Sequence, residues 1–472
     1  MEGNRTTIIW FRRDLRLADH PALTAAVARG GSIIPLFILD PITEGQGAAS
    51  IMRLGMSLEM LAKDLSDHGS RLILRRGNPL DILLNLLKET GADTVYWSRL
   101  YWPVVNKRDA EIKSVLSAQN YTASGFTGHL LFEPWDVQTA AGEFYKVYTP
   151  MWKSVRERNV DPCLPVPKIS IPEYWPESEE LADWNLSGSM KRGYGTVSKY
   201  QNAGEKAAVA RLDRFVDQRI SQYKVKRDFV SEDGCSGLSE NLAFGEIAPR
   251  AVWHAGQRAL QQGKPGAETF PKELVWREFA YHLQFHTPHI TTESWRPEWR
   301  SFPWNTDENH PDVIAWKQGR TGEPFVDAAM REMYLTGKMH NRARMIVASY
   351  LTKHLLSHWK IGMNWFADCL TDWDPASNAM GWQWAAGSGP DAAPYFRIFN
   401  PATQLKKFDP DQTYCRKWLA ERCADPADTA LEYFEIIPKS WKLASNLGYP
   451  APVVDLGFGR QRALDAYQAS RS

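Results

Sequence analysis

Short apolar runs rich in β-branched and aromatic residues alternate with helical patterns over the first part of this chain, and that alternation restricts the fold more than any other feature. TIIWF (7–11) and IIPLFIL (33–39) read as buried strands. Between them ADHPALTAAVARG reads as a helix, with proline near its start and glycine at its end. SLEMLAKDLSDHG repeats that design ahead of the strand RLILRRG, and NPLDILLNLLKETGA with DTVYWSRL supplies a further helix and strand. Successive βα units bury both faces of a parallel sheet, so a doubly wound α/β domain is predicted over residues 5–133. FRRDLRL follows the first strand where G-x-G-x-x-G would stand, which disfavours a dinucleotide-binding Rossmann unit.

From about Pro134 the periodicity fades into PCLPVPKISIPEYWPESEELADWN, where proline removes backbone donors and favours extended geometry; a linker is predicted over 134–199. GEKAAVARLDRFVDQRISQY, PRAVWHAGQRALQQG, FPKELVWREFAYHLQFH, PFVDAAMREMYLTG and HNRARMIVASYLTKHLLSHW then carry apolar residues at three- and four-residue spacing, so residues 200–472 are predicted to form an all-α domain. A hydrophobic fraction of 43% in 472 residues supplies cores for both.

Charge and cysteine usage narrow the function classes. With 56 basic and 55 acidic residues the net charge is +1, so any affinity for DNA needs a local basic patch. Cys163, Cys235, Cys369, Cys415 and Cys423 lack C-x-x-C spacing, which argues against a zinc site, an iron-sulfur cluster or a secreted disulfide framework and fits a reducing cytoplasm. No apolar run reaches the ~18 residues of a spanning helix, and arginines stand where a secretion signal needs its apolar core, so a soluble cytoplasmic monomer without a membrane partner is expected.

Chemistry concentrates in TDWDPASNAMGWQWAAGSGPDAAPYFRIFNP (371–401), which crowds Asp372, Asp374, Asn378, Trp382 and Trp384 together and suits a large planar polar ligand. In KELVWREFAYHL, Glu273, Trp276, Arg277 and Ala280 share one helical stripe; Asn341, Arg344, Met345 and Ala348 repeat the spacing. Ser236, Gly237 and Ser239 precede a helix expected to begin near Glu240, where backbone N–H groups suit a phosphate and where Ser239 serves equally well as an ordinary N-cap.

Through IIWFRRDLRLAD, CSGLSENLAFGEIAPR, WREFAYHL, MHNRARMIVAS and the 372–401 motif, the chain resembles the DNA photolyase and cryptochrome family over nearly its full length. The resemblance implies FAD held bent in the helical domain by Tyr223, Cys235, Ser236, Gly237, Leu238, Ser239, Arg277, Asn341, Arg344, Phe366, Asp372 and Asp374, with Asn378 facing flavin N5. It further implies a pocket for a flipped-out pyrimidine dimer lined by Glu273, Trp276, Asn341, Arg342, Met345 and Trp384; a local basic rim of Arg227 and Arg342, which match family positions, with Lys406 and Lys407 and with Gln404 nearby, is expected to meet DNA phosphates. Trp382, Trp359 and Trp304 match the family's chain of tryptophans that reduces the flavin. Asn341 stands where the (6-4) subgroup has histidine, so the implied activity is light-driven splitting of cyclobutane dimers in UV-damaged DNA, a carbon–carbon lyase reaction; the alternatives are a cryptochrome photoreceptor and an electron-transfer flavoprotein. Asn106 matches a contact to an antenna chromophore, methenyltetrahydrofolate or a deazaflavin. The chain departs from the family at Cys235, where threonine is usual, at Lys338 in place of tryptophan, and at Lys107 in place of an acid.

Overall fold

A computed structural model describes residues 5–190, 192–391 and 397–470; part of the 372–401 motif, residues 392–396, therefore lies outside the described residues. Five strands, β1 (Thr6–Phe11), β2 (Ser32–Leu39), β3 (Ile73–Arg76), β4 (Thr94–Ser98) and β5 (Thr122–Phe126), pair in parallel in the order β3-β2-β1-β4-β5. Both β1 and β2 are buried along their whole length, as strands covered on two faces must be. Helices α1 (Pro21–Arg29), α2 (Ala48–Asp67), α3 (Pro79–Thr90) and α4 (Pro103–Ala118) provide the cover. The last strand, TASGF, lies at one sheet edge and has a glycine, an exposed first residue and no apolar run.

The sheet reverses its winding between β1 and β4, and a cleft opens there at the carboxyl ends of the strands. Its own side chains fill it: the free space is about 30 Å³, lined by Arg12, Arg13, Asp40, Trp102 and Arg108 among others. Arg12 bonds Asp109 (2.5 Å) and Arg108 pairs with Asp109 (2.9 Å) and Asp40, with both guanidinium groups over Trp10.

Residues 134–199 are not extended throughout. Tyr148–Val155 forms α5, whose Tyr148, Met151 and Val155 are buried in the same cluster as the later helices. The remainder of the chain is helical as predicted: α6 (Glu205–Gln218), α7 (Ser239–Ala243), α8 (Pro249–Gln261), α9 (Thr269–His286), α10 (Pro324–Thr336), α11 (Asn341–Ser349), α12 (Trp359–Cys369), α13 (Pro375–Ala386), α14 (Pro401–Phe408) and α15 (Leu456–Ala469). One difference concerns HNRARMIVASYLTKHLLSHW, which is broken into two elements. Tyr350–His354 is a π-turn closed by Leu355 N–H to the Tyr350 carbonyl (3.0 Å), and Leu356 takes φ +51°, so α12 starts afresh at Trp359.

The FRRDLRL loop after β1 is the seam between the two halves. Leu15 N–H donates to Phe244 O (3.1 Å), Arg16 to Gly245 O (2.9 Å), and the Leu17 and Ala18 N–H groups to Glu205 (2.7 and 3.0 Å). Gly245 sits at φ +66°, and a Cβ there would lie 2.0 Å from the Arg13 carbonyl oxygen, so glycine is required on both grounds. Beside it Arg53 of α2 and Glu246, both fully buried, form a bidentate pair at 2.9 and 2.7 Å, and Glu246 also accepts from Gly204 N–H (2.8 Å) and Asn241 (2.6 Å). Glu246→Leu strands the Arg53 charge in that interior; the expected loss is about 3–5 kcal/mol in denaturant unfolding, most of it restored when Arg53→Met is added.

Candidate active site

The 372–384 motif is positioned by the start of α13. Asp374 caps that helix through Ser377 N–H (2.7 Å), and its other carboxylate oxygen accepts from the Tyr281 hydroxyl of α9. Asp372, nine per cent exposed, takes Arg344 Nη2 at 2.8 Å and leaves Oδ1 buried with no partner. Asn378, one turn into α13, donates its amide nitrogen to Met363 O (3.0 Å), which leaves the amide oxygen for a ligand. Arg277 is turned toward the α/β half, bonding His129 O (2.9 Å) and lying over Tyr281. Asp372, Asp374, Asn378 and Arg344 are thus brought together by three helices, while Arg277 reaches them through Tyr281.

Loop 235–239 lies on the same side of the helical half. Gly237 takes φ +66°, and Arg211 of α6 donates to its carbonyl (2.5 Å) and to Asn241 Oδ1 (3.1 Å). Leu238 is buried, Ser236 is half-buried, and Ser239 is exposed as the first residue of α7 and makes no capping bond, so the alternative of an ordinary N-cap is not what is found. Cys235 Sγ is 3.6 Å from His340 Nε2; burial pushes the thiol up to about 11 and the imidazole down to about 4, so both are neutral near pH 7. Tyr223 is buried beneath the Arg227 guanidinium (5.4 Å).

A second group of residues faces outward. Trp276 is half-buried, Glu273 ion-pairs with Arg227, and Trp384 is half-buried with Arg397 over its ring at 5.1 Å. Asn341, exposed, begins α11, with Arg342 and Met345 half-buried behind it. Arg342 pairs with Asp228 (2.8 Å) and lies over Phe408, whose helix α14 also carries Gln404, Lys406 and Lys407.

The tryptophans form a succession. Trp382 is buried edge-on to Phe366 (4.9 Å) and rests on Gly362, where a Cβ would meet the indole at 2.0 Å. Trp359, fully buried, lies one turn before Gly362 on α12; the His358 ring is 5.3 Å from it and 5.9 Å from Trp304. Trp304 is held there because Asn305 exchanges backbone bonds with Leu356 and His358, both 2.8 Å, directly after the π-turn.

Residues 7–170 match the DNA photolyase family model and residues 270–469 the FAD-binding domain of DNA photolyase. The chain is 43% identical over 468 residues to a deoxyribodipyrimidine photo-lyase of Agrobacterium fabrum, covering 98% of this chain and 97% of the relative. It belongs to the DNA photolyase and cryptochrome family. The crystal structure of a bacterial class III photolyase from Agrobacterium tumefaciens superposes with a TM-score of 0.90 at 42% identity, covering 100% of this chain and 98% of that one. Cryptochrome-2 of Arabidopsis thaliana is 33% identical over 494 residues, covering all of this chain and 80% of its own.

Not every residue that the family resemblance singled out is gathered here. Asn106 is exposed on the outside of α4, whereas Val105 and Arg108 of the same turn line the cleft of the α/β half. Conversely, Tyr148, Tyr281, His129 and Arg211 touch the site and were not singled out. Tyr281 lay within the WREFAYHL motif and Arg211 on the amphipathic helix RLDRF, without either being marked out.

Behind Arg277, Glu278 accepts from Leu131 N–H (2.7 Å) and Phe132 N–H (3.3 Å); burial pushes its carboxyl up to about 7, Arg277 and those two donors opposing. Burial pushes Glu323 and Glu332 up to about 7 as well. Each carboxyl keeps a proton in the fold that the unfolded chain loses above its ordinary value of 4.5, so its contribution to stability is full below 4.5 and lost as pH rises through 7. Burial has the opposite effect on histidine stability: His282 falls to about 3 and His340, His354 and His358 to about 4, so their contribution is present above 6.5 and lost as pH falls. Stability is therefore expected to peak near pH ~6.5 and decline toward ~8. Glu278→Gln keeps the acceptor and removes the titration, so urea unfolding across that range should show a shallower decline than wild type.

Proposed function

We propose that this chain is a deoxyribodipyrimidine photo-lyase that splits cyclobutane pyrimidine dimers in UV-damaged DNA under light. The observation that carries the reading is the outward-facing set of Glu273, Trp276, Asn341, Met345 and Trp384, with two half-exposed indoles and a carboxylate oriented by Arg227, in a chain alike along its whole length to a photo-lyase. A flipped base offers two things to bind, a π-face and a hydrogen-bonding edge. Trp276 and Trp384 suit the first, Glu273 and Asn341 the second.

The residues present fit FAD. The unpartnered Asp372 Oδ1 asks for a donor, the free Asn378 oxygen can accept from a reduced ring, and loop 235–239 offers hydroxyl and backbone donors to a pyrophosphate. Asp372, Asp374, Arg344 and Asn378 would hold the isoalloxazine, with Phe366 beside it, and Tyr223, Cys235, Ser236, Gly237, Leu238 and Ser239 the phosphates and ribityl chain. When bound and reduced, FAD supplies the electron that opens the cyclobutane ring on excitation and receives it back. The chain's own part is to position the dimer and to exclude water. Trp382, Trp359 and Trp304 would deliver electrons inward from the surface, and Arg227, Arg342, Gln404, Lys406 and Lys407 would meet phosphates, which fix register without reading sequence.

A second chromophore, methenyltetrahydrofolate or a deazaflavin, belongs by the same resemblance to the α/β half. The cleft between β1 and β4 is the better placed site than Asn106, provided that Arg13 and Arg108 move out of it. The likeness to a cryptochrome over the full chain supports a second reading, a photoreceptor that binds FAD without repair.

The deciding experiment illuminates the purified, reduced protein with near-ultraviolet or blue light on an oligonucleotide carrying one defined thymine dimer and measures restored thymines. Light-dependent restoration is the expected result; none from protein with reducible FAD favours the photoreceptor. Glu273→Ala should lower repair by about 10-fold or more while flavin remains bound, since it removes a hydrogen bond to the base and leaves Arg227 only its longer contact to Asp228 (4.0 Å). Trp382→Phe should abolish photoreduction yet leave repair by chemically reduced protein intact; persistence of photoreduction would point to another electron route.

A further inference from the structure

One face of the Trp276 indole is already taken. The ring of Tyr148, on α5, lies parallel to it with centroids 3.7 Å apart and planes 8° apart. Tyr148 is only 7% exposed and packs edge-on against Phe279 (5.9 Å), so it covers the inner face, and the half-exposure of Trp276 belongs to the outer one. Nearly coincident rings are the arrangement that two aromatic groups adopt least readily by themselves. Here it is imposed by a tether and a buttress: the Tyr148 hydroxyl donates to Lys272 O (2.6 Å), one turn before Trp276 on α9, and Phe279 of the same helix closes the other side of the phenol.

From this geometry we infer that Tyr148 is a positioning residue that fixes the plane of Trp276, and so the gap between the Trp276 and Trp384 walls, for stacking on a flipped-out pyrimidine dimer. The inference rests on the repair function proposed above. An indole turns about a broad χ2 torsion, and a half-exposed one loses that freedom only when a ligand arrives. A phenol clamped behind it removes the freedom in advance, so the loss is not charged against dimer binding. Because Tyr148 is tied to the helix that carries Trp276, the plane of that wall is set before a ligand arrives. Burial pushes the phenol above its ordinary pKa, so it remains a neutral donor at every working pH.

The test measures equilibrium affinity for a dimer-containing oligonucleotide and for the same oligonucleotide undamaged, with flavin content and melting temperature recorded for each protein. Tyr148→Ala and Tyr148→Leu should weaken dimer binding by about 3–10-fold and leave undamaged binding unchanged, whereas Tyr148→Phe, which keeps the stack, should stay within about 2-fold of wild type. Leucine fills the space and carries the test if alanine does not fold. Retained discrimination in the leucine variant, or parallel loss on both DNAs, would overturn the inference; so would a loss by phenylalanine equal to that by alanine, since the hydroxyl and not the stack would then be responsible. A wild-type protein that does not distinguish the two DNAs would instead remove the repair function itself, and the inference with it.

Discussion

The buried pair of Arg53 and Glu246 is the constraint on which the remainder of the site depends. Two charges inside a protein cost several kcal/mol each in lost hydration, and the cost is offset only where every lone pair and N–H is matched. Glu246 meets that demand with two bonds from Arg53 and one each from Gly204 and Asn241. Three separate stretches of chain therefore converge on one carboxylate: α2 of the sheet half, the turn before α6, and the segment that starts with loop 235–239. The loop cannot shift without stranding a charge. Gly245 makes the same seam sterically exact by admitting the Arg13 backbone where no side chain fits, and Arg13 and Arg16 of FRRDLRL reach across it to the Ala243 and Gly245 carbonyls, while Arg12 stays within the sheet half on Asp109.

How much of this was legible in the sequence depends on the range of the contact. Strands buried on both faces and amphipathic helices announce themselves locally, so four of the five strands and the long helices could be read directly. The strand Thr122–Phe126 could not, because its small and polar residues make no apolar run, and the break after Ser349 was hidden because YLTKHLLSHW keeps helical spacing while Arg462 and Gly459, more than a hundred residues later, hold His354 in the π-turn. The candidate site divides in the same way. Asp372, Asp374, Asn378, Arg344 and Trp382 lie in motifs that are dense in themselves. Tyr148, His129 and Tyr281 act through partners 93 to 148 residues distant, and no spacing encodes such a pair. Asn106 shows the converse: a helical turn carries residues on all sides, and resemblance alone does not say that Val105 and Arg108 face inward where Asn106 does not.

Aromatic packing explains why twenty tryptophans are affordable. Most of those around α12 and α13 are core residues first: Trp382 needs Gly362, Trp359 is enclosed with its N–H on Ser294 (3.3 Å), and Trp316, edge-on to Trp382 at 6.0 Å, spends its N–H on the Val347 carbonyl. Dense packing fixes ring separations as firmly as it excludes water. The electron route proposed for Trp382, Trp359 and Trp304 would therefore need no dedicated scaffold, since the same contacts hold the helices together.

The electrostatics of the site point in one direction. Near neutral pH the Cys235 thiol is protonated and the His340 imidazole is not, and burial keeps both so. Cys235 in the loop and His340 ahead of α11 thus face each other as a neutral thiol and a neutral imidazole. Arg344 pairs with Asp372 and Arg227 with Glu273, and pairing spreads a field that is nearly neutral from a distance but strongly polar at contact. The flavin and dimer pocket proposed above would therefore act by orienting polar rings and excluding water, as suits a reaction in which an electron, rather than a proton, is transferred.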